Sequence, residues 1–386
     1  MKSLEAYTEN RIIMNQPRRL VFGNDCVSQF IEDFAATALD RAFVVTAPPI
    51  RSLIDPLLDS LKAKLSIWDC ITREPDTGMF EDARKACRSF GANAVIGIGG
   101  GSVLDVAKLV AAMSDTDGDI HDAFGIGKLS GRNIFLACLP TTSGTGSEVS
   151  PNALIIDQLD NTKKGVISPY IVPDASYIDP MLTLTVPPDM TASTGMDALT
   201  HCIEAYANKF ANPITDLYAF EGIKLIADNL KIAFDDGKNI VARTKMALGS
   251  LYGGLCLGPV NTGAVHALAY PLGSEYKVPH GLSNSMMLPH VIDFNIPASP
   301  ERYAQVAIAM GVSPASSDTE TAKLGLKRIK QLSSECGIPS SLSRIGIPYD
   351  AINRMAKSAM TVTRLLKNNL RELSVSDAEE IYIKAY

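Results

Sequence analysis

Along the first half of the chain, short apolar runs rich in β-branched residues alternate with longer amphipathic stretches. Ala42–Thr46 (AFVVT), Leu65–Trp68 (LSIW), Ala94–Ile98 (AVIGI) and Ile134–Leu139 (IFLACL) read as strands, and Pro49–Lys62 and Met79–Phe90 read as helices between them. Strands of this kind, separated by helices, predict a parallel sheet covered on both faces. Arg19–Phe22 (RLVF), ending at Gly23, predicts an additional edge strand. After about Pro188 the period lengthens to that of a helix, β-branched runs become rare, and the breaks fall at Gly and Pro. Asn212 followed by Pro213 is a helix start, with the Asn side chain free to accept an orphan N–H and Pro pre-set for the first turn, and the helix is predicted to run to about Leu230. The change of texture at Val186–Asp189 (VPPD) predicts a tight hinge between an α/β unit, residues 1–187, and an all-helical unit, residues 188–386. The cleft between two such units is the natural place for a site.

A chain of 386 residues suffices for two hydrophobic cores without disulfide or metal staples. With 46% apolar and 20% charged residues, and no window approaching the length of a membrane span, it is expected to be soluble. Met1–Asn10 is polar and resembles neither a signal nor a transit peptide, which makes the cytoplasm the expected compartment. The seven cysteines are scattered, never C-x-x-C, and read as reduced core residues. A net charge of −6 with dispersed basic residues gives no footprint for nucleic acid.

Candidate chemistry enters with two glycine loops. Ala94–Ile98 runs into Gly99-Gly100-Gly101-Ser102 and then a helical stretch, Val103–Met113. Strand, glycine turn and helix form a phosphate cradle, because backbone without Cβ atoms lets an anion approach the free N–H groups of a helix start. The strict dinucleotide fingerprint is not met, since the loop reads G-x-G-x-x-S. The next strand leads into Pro140–Glu148 (PTTSGTGSE), and two polar loops at the carboxyl ends of parallel strands are expected to face one dinucleotide.

Four of the five histidines fall in the helical half. His201 lies four residues after Asp197, a spacing that stacks both side chains on one helix face, with Leu199, Cys202, Ile203 and Tyr206 available for packing. His266 and His280 would complete an N3O set suited to Fe2+ or Zn2+. His290 has no partner at ligand spacing, and His121 lies near Asp115, Asp117, Asp119 and Asp122 on an expected surface loop, so both are read as structural.

These residues sit in longer motifs. GGGSVLDVAK (Gly99–Lys108), LPTTSGTGSEVS (Leu139–Ser150), IDPMLTLTVPP (Ile178–Pro188), GMDALTHCIEAY (Gly195–Tyr206), NPITD (Asn212–Asp216) and VPHG (Val278–Gly281) resemble, in order, those of the iron-containing (group III) alcohol dehydrogenases. The resemblance covers nearly the whole chain. It implies an N-terminal Rossmann-like α/β domain and an all-α C-terminal domain, the architecture shared with dehydroquinate synthase. It also implies a homodimer, NAD or NADP, and one metal ion on Asp197, His201, His266 and His280. Cofactor contacts carried over by motif fall on Gly100, Gly101, Ser102, Thr141, Thr142, Ser150, Leu182 and Lys163, with Lys164 as the other register of the last. The implied reaction is hydride transfer between the nicotinamide C4 and a small alcohol or aldehyde.

Two positions depart from the family pattern. Many members have a second His four residues after the third ligand, a candidate for proton relay, where this chain has Tyr270. Many NAD-preferring members carry an acid after the first strand to engage the ribose 2′-OH, where this chain has Thr46-Ala47-Pro48, so the sequence does not choose between NAD and NADP. Two rival readings are a reductase of oxo acids, of the maleylacetate or hydroxyacid–oxoacid kind, and a metal-dependent lyase of the dehydroquinate-synthase kind. The first needs a cation for a carboxylate, and the sequence alone places no Arg in the pocket.

Overall fold

The computed structural model describes residues 11–386, so the reading of Met1–Asn10 lies outside the described residues. The α/β half comprises β1 (Arg19–Phe22), α1 (Cys26–Ala35), β2 (Arg41–Val45), α2 (Arg51–Asp59), β3 (Lys64–Trp68), α3 (Thr77–Phe90), β4 (Ala94–Gly99), α4 (Gly101–Met113) and α5 (Ile120–Ala123). It continues through β5 (Gly125–Ile126), β6 (Phe135–Pro140), β7 (Asn152–Asp157), β8 (Thr162–Ile167) and β9 (Ala175–Ile178). Six of the strands form one parallel sheet in the order β1-β9-β6-β4-β2-β3, with Arg19–Phe22 at the edge as its sequence predicts.

Both faces of this sheet are covered, and the period-2 geometry of a strand shows it directly. Phe43 and Val45 of β2 and Val95 of β4 join the core under α3 and α4, whereas Ala42, Val44, Ala94, Ile96 and Ile98 join the core under α1 and α2. The strand order reverses between β2 and β4, where the chain goes out to β3 and returns to the other side. That reversal opens a crevice at the carboxyl ends of the two strands, where open α/β sheets bind ligands. Thr46, fully buried, spans it by donating to the Ile98 carbonyl at 2.8 Å.

A second, three-stranded sheet, β5-β8-β7, was not apparent from the sequence. Its β7–β8 hairpin is antiparallel, and it carries Lys163 and Lys164. The exposed Cys70 departs from the expectation that all the cysteines are core residues: it follows β3 in the loop at the sheet's edge, while the other six are buried.

From Pro188 the labelled elements are helices: α6 (Pro188–Tyr206), α7 (Pro213–Asp235), α8 (Ile240–Cys256), α9 (Ala264–Tyr276), α10 (His280–Asn295), α11 (Pro300–Ala309), α12 (Asp318–Glu335), α13 (Ile352–Met360), α14 (Thr363–Leu366) and α15 (Val375–Ala385). Asn212 caps α7 in a reciprocal box with Thr215, and the helix runs five residues beyond the predicted end at Leu230. Val186–Asp189 is the start of α6, with Pro188 in its first turn. Most of the helices' apolar faces converge on one core built around α6, α7, α9 and α10.

The two halves meet backbone to backbone. Gly146, at φ +61° in the second glycine loop, lies so close to Gly254 of α8 that a Cβ on Gly254 would stand 2.7 Å from the Gly146 Cα and 2.8 Å from its carbonyl oxygen. Ala would ordinarily favour a helix by about 1 kcal/mol over Gly. Here Gly254→Ala is expected to destabilise the protein by roughly 2–3 kcal/mol, read as a lowered Tm, because neither backbone can yield. Gly258→Ala, whose added carbon would meet only Pro151 at 3.4 Å, is the control expected to change Tm little.

Candidate metal centre and nucleotide cradle

α4 begins directly at the end of β4, two residues earlier than the sequence predicts, so Gly101 and Ser102 form its first turn. No side chain caps that turn and no acid lies within it, which leaves its amides and the positive end of the helix dipole facing the crevice. Gly101 has to be Gly: a Cβ there would come within 2.4 Å of Thr145 on the second loop. The second loop is fastened from below. The Lys108 ammonium of α4, fully buried, donates to the carbonyls of Ser147 and Ser150, each at 2.8 Å, and to that of Asn152. Asp105 accepts from the Ser147 hydroxyl and, at 2.9 Å, from the Leu154 N–H. Burial pulls the Lys108 pKa down and the Asp105 pKa up, and each charge opposes the shift of the other.

At the far end of the same pocket, three helices bring four side chains together. Asp197 and His201 come from one face of α6, His266 from the first turn of α9 and His280 from the first residue of α10. The Asp197 Oδ1 lies 3.9, 3.7 and 3.8 Å from the Nε2 atoms of His201, His266 and His280. One ligand atom from each of the four lies within 4.8 Å of every other. With ligand bonds of about 2.0–2.2 Å, the edge of a tetrahedral site is about 3.3–3.6 Å, so the three Asp–His distances need to close by only a few tenths of an ångström, and the widest pair of donors by about 1.2 Å or more, to hold one cation.

The chemistry of the donors fits as well. The His266 Nδ1–H donates to the Glu204 carboxylate at 2.6 Å, which sets the tautomer, and its buried Nε2 has no hydrogen-bond partner. His201 places Nδ1 3.2 Å from the Gly144 carbonyl, which likewise leaves Nε2 as the lone pair aimed inward. Burial, then the Lys163 charge, lowers the His280 pKa to about 3, and burial also lowers that of His201. Burial opposes the Asp197 charge, yet the three imidazoles hold its pKa down at about 2. The directions for Asp197, His201 and His280 are those of a carboxylate beside imidazoles that lose their protons readily, and a divalent ion needs its ligands deprotonated.

One cavity of about 680 Å³ of empty space joins the two ends. Its lining includes Gly101, Ser102, Ser150 and Lys163 of the expected cofactor residues, and His201, His266, His280 and Tyr270 of the expected catalytic ones. Lys163, not Lys164, faces it: Lys163 pairs with Glu74 at 2.7 Å, while Lys164 turns to Asp157 and Asp160. Burial works against the Glu74 charge, but Lys163 and then His280 outweigh it and keep the carboxyl below its usual range. Thr142 stands beside Gly100, 3.5 Å from where a Cβ would be, and Thr141 is buried with its N–H on the Gly99 carbonyl, so these three form the layer behind the lining. Leu182 packs in the core under α1 and α2.

His121 lies on the short α5, outside this pocket, with its ring nitrogens on Asp119 and Asp157. His290 is also outside, and burial pushes its pKa down to about 4. The sequence reading missed Glu204, although it follows Asp197 by seven residues on the same helix face. It also missed Glu74, Asn261 and Arg364, which line the cavity from three distant segments and carry no spacing signal.

A phosphate cradle opening onto a buried His3Asp set defines a metal-assisted, nucleotide-linked oxidoreductase site. Residues 17–180 match the family model for iron-containing alcohol dehydrogenase, and residues 191–386 that for the C-terminal part of the Fe-containing alcohol dehydrogenase family. A 1,3-propanediol dehydrogenase of Citrobacter freundii is 33% identical over 373 residues, 95% of this chain and 96% of the relative. A solved 1,3-propanediol oxidoreductase superposes with a TM-score of 0.94 at 32% identity, over 98% of this chain and 100% of that one. The sulfoacetaldehyde reductase of Bifidobacterium kashiwanohense, solved in complex with NAD+, superposes with a TM-score of 0.88 at 27% identity, over 97% and 99%. The chain belongs to the iron-containing alcohol dehydrogenase family.

Two substitutions test the scaffolding of the site. Glu204→Gln, which takes the charge from the partner of His266, is expected to weaken binding of a divalent metal about 10–100-fold in a chelator competition. Lys108→Met would leave the carbonyls of the second loop buried without a donor, and is expected to cost about 3–5 kcal/mol in urea unfolding.

Proposed function

We propose that the protein is a metal-dependent, NAD(P)-linked alcohol dehydrogenase or aldehyde reductase whose ion sits on Asp197, His201, His266 and His280. The observation that carries this reading is the single cavity running from the first turn of α4 to the histidine cluster. In the reducing direction, a hydride passes from the nicotinamide C4 to the carbonyl carbon and a proton adds to the oxygen, leaving an alcohol and oxidised nicotinamide. A divalent ion in the set supplies Lewis acidity toward that oxygen, and the nicotinamide supplies the hydride.

The remaining work belongs to the chain. Gly100, Gly101, Ser102, Thr141, Thr142 and Ser150 form the strand-end layer for the cofactor phosphates and amide, and Lys163, steadied by Glu74, points into the cavity beside them. Leu182 supports the cofactor side from the core. Glu204 holds the His266 ring, and Tyr270 walls the substrate end, its ring centroid 6.5 Å from that of His280. Residues 1–187 serve as the dinucleotide half and residues 188–386 as the metal and substrate half. A homodimer in the cytoplasm, with a small alcohol or aldehyde as partner, completes the reading, and the family resemblance supports it. No helix among the described residues is long and apolar enough to cross a membrane.

Stripping the protein with a chelator is expected to abolish NAD(P)H oxidation with short aldehydes, and Fe2+ or Zn2+ is expected to restore it. His266→Ala should retain no stoichiometric metal by elemental analysis and lose at least about 10³-fold in kcat/KM, a magnitude typical of losing the dominant electrostatic group of a site. Full turnover by metal-free His266→Ala would refute the assignment.

A further inference from the structure

Two cationic side chains line the cavity, and they are held differently. Lys163 is neutralised by Glu74, but Arg364 meets no carboxylate among the described residues. Elsewhere in the fold, partly buried arginines grip acids, as Arg132 does with Asp174 and Arg302 with Asp216. Among the described residues, the one side-chain hydrogen bond of Arg364 is a long one, 3.5 Å from Nη2 to the Tyr270 hydroxyl. A guanidinium has five donors in a rigid fork, and withdrawing it partly from water without acceptors is unfavourable.

Its position is nonetheless built. Arg364 rides on α14, and the next residue, Leu365, is fully buried against Ala267 and Tyr270 of α9. The guanidinium lies over Gly165 of β8, where a Cβ would stand in ordinary contact, 3.6 Å from Nη2. Tyr270 stands between this guanidinium and the metal cluster, touching Arg364 through its hydroxyl and facing His280 through its ring. Arg364 and the histidine cluster line the same cavity, so a small molecule held there can meet both the cluster and a forked cation that has no carboxylate partner among the described residues.

We propose that the substrate is a short aldehyde or alcohol bearing an oxyanion, a carboxylate or a sulfonate, which seats in the fork of Arg364 beside the Tyr270 hydroxyl. The proposal rests on the reading of the site as a metal-dependent oxidoreductase and narrows its substrate class. The reaction is unchanged: hydride to the carbonyl carbon, a proton to its oxygen, and the anion untouched. An Arg–oxyanion pair is bidentate and charge-assisted, so it discriminates against a neutral end group more strongly than an apolar wall could.

The test uses the metal-loaded protein with succinic semialdehyde and sulfoacetaldehyde as anionic substrates, and butanal and 3-hydroxypropanal as neutral ones. The anionic members are expected to exceed the neutral ones in kcat/KM by about 10–100-fold, and Arg364→Met to remove most of that ratio through KM, as expected for loss of a charge-assisted pair. Arg364→Lys, which keeps the charge but loses the fork, should recover part of it. Comparing the carboxylate with the sulfonate identifies which oxyanion the fork takes. Calorimetry with butyrate and propanesulfonate, which cannot react, gives a second readout: binding by the wild type and loss of binding in Arg364→Met are expected. Equal or better turnover of the neutral aldehydes by the wild type, or an equal loss of both classes in Arg364→Met, overturns the proposal. If no carbonyl supports NAD(P)H consumption, the oxidoreductase reading fails instead, and the calorimetry still decides whether Arg364 is an oxyanion site.

Discussion

A single ammonium group holds the working end of the sheet together. Lys108 reaches from the inside of α4 to carbonyls of Ser147, Ser150 and Asn152, which lie about 40 residues further along the chain, and it has no contact with solvent. The first two carbonyls belong to a glycine-rich loop with no regular structure of its own to satisfy them, and the third to the first residue of β7, where that loop ends. With Asp105 holding the other side of the loop, α4 acts as a template on which the loop is laid. The cradle, the Gly146–Gly254 contact with the helical half and the orientation of His201 toward Gly144 all depend on that loop lying where it does. A buried charge is costly, and here the return is position more than stability.

Much of this arrangement was legible in the sequence, for reasons that particular elements make plain. The strands of the main sheet before the second glycine loop lie within a residue or two of the predicted runs; in the central β2, β4 and β6 burial on both faces leaves an unbroken apolar signature, and the edge strands β1 and β3 show as short apolar pieces. Asp197 and His201 declare their shared face through a spacing that only a helix makes meaningful. The β7–β8 hairpin was missed because its second strand, TKKGVI, begins with polar and charged residues, and β9 because ASYI is too short to stand out. The partners that convert ligands into a site were legible only in part. Glu204 could have been read from α6 itself, but Glu74 and Arg364 arrive from a loop and a four-residue helix through tertiary packing alone.

The position of Tyr270 shows how one residue can redirect a shared architecture. Where the family pattern leads one to expect an imidazole, this chain has a phenol that packs against Leu365 and meets Arg364. Its hydroxyl is oriented toward the guanidinium and its ring toward His280, so it lies between the Arg364 side of the cavity and the histidine side. Ala47, at the crevice between β2 and β4, marks the corresponding simplification at the nucleotide end, where no carboxylate stands after the strand.

The four ligand side chains come from the middle of one helix and the first turns of two others, and this has a consequence for folding as well as chemistry. An ion bound by that set is a cross-link among α6, α9 and α10, closing chain loops that span more than eighty residues. The unfolded chain cannot present the same set, so binding free energy adds to folding free energy, by about 1.4 kcal/mol for every tenfold rise of free ion above its dissociation constant. For a set placed in this way, the heat and protease resistance of the helical half would rise and fall with the ion's supply.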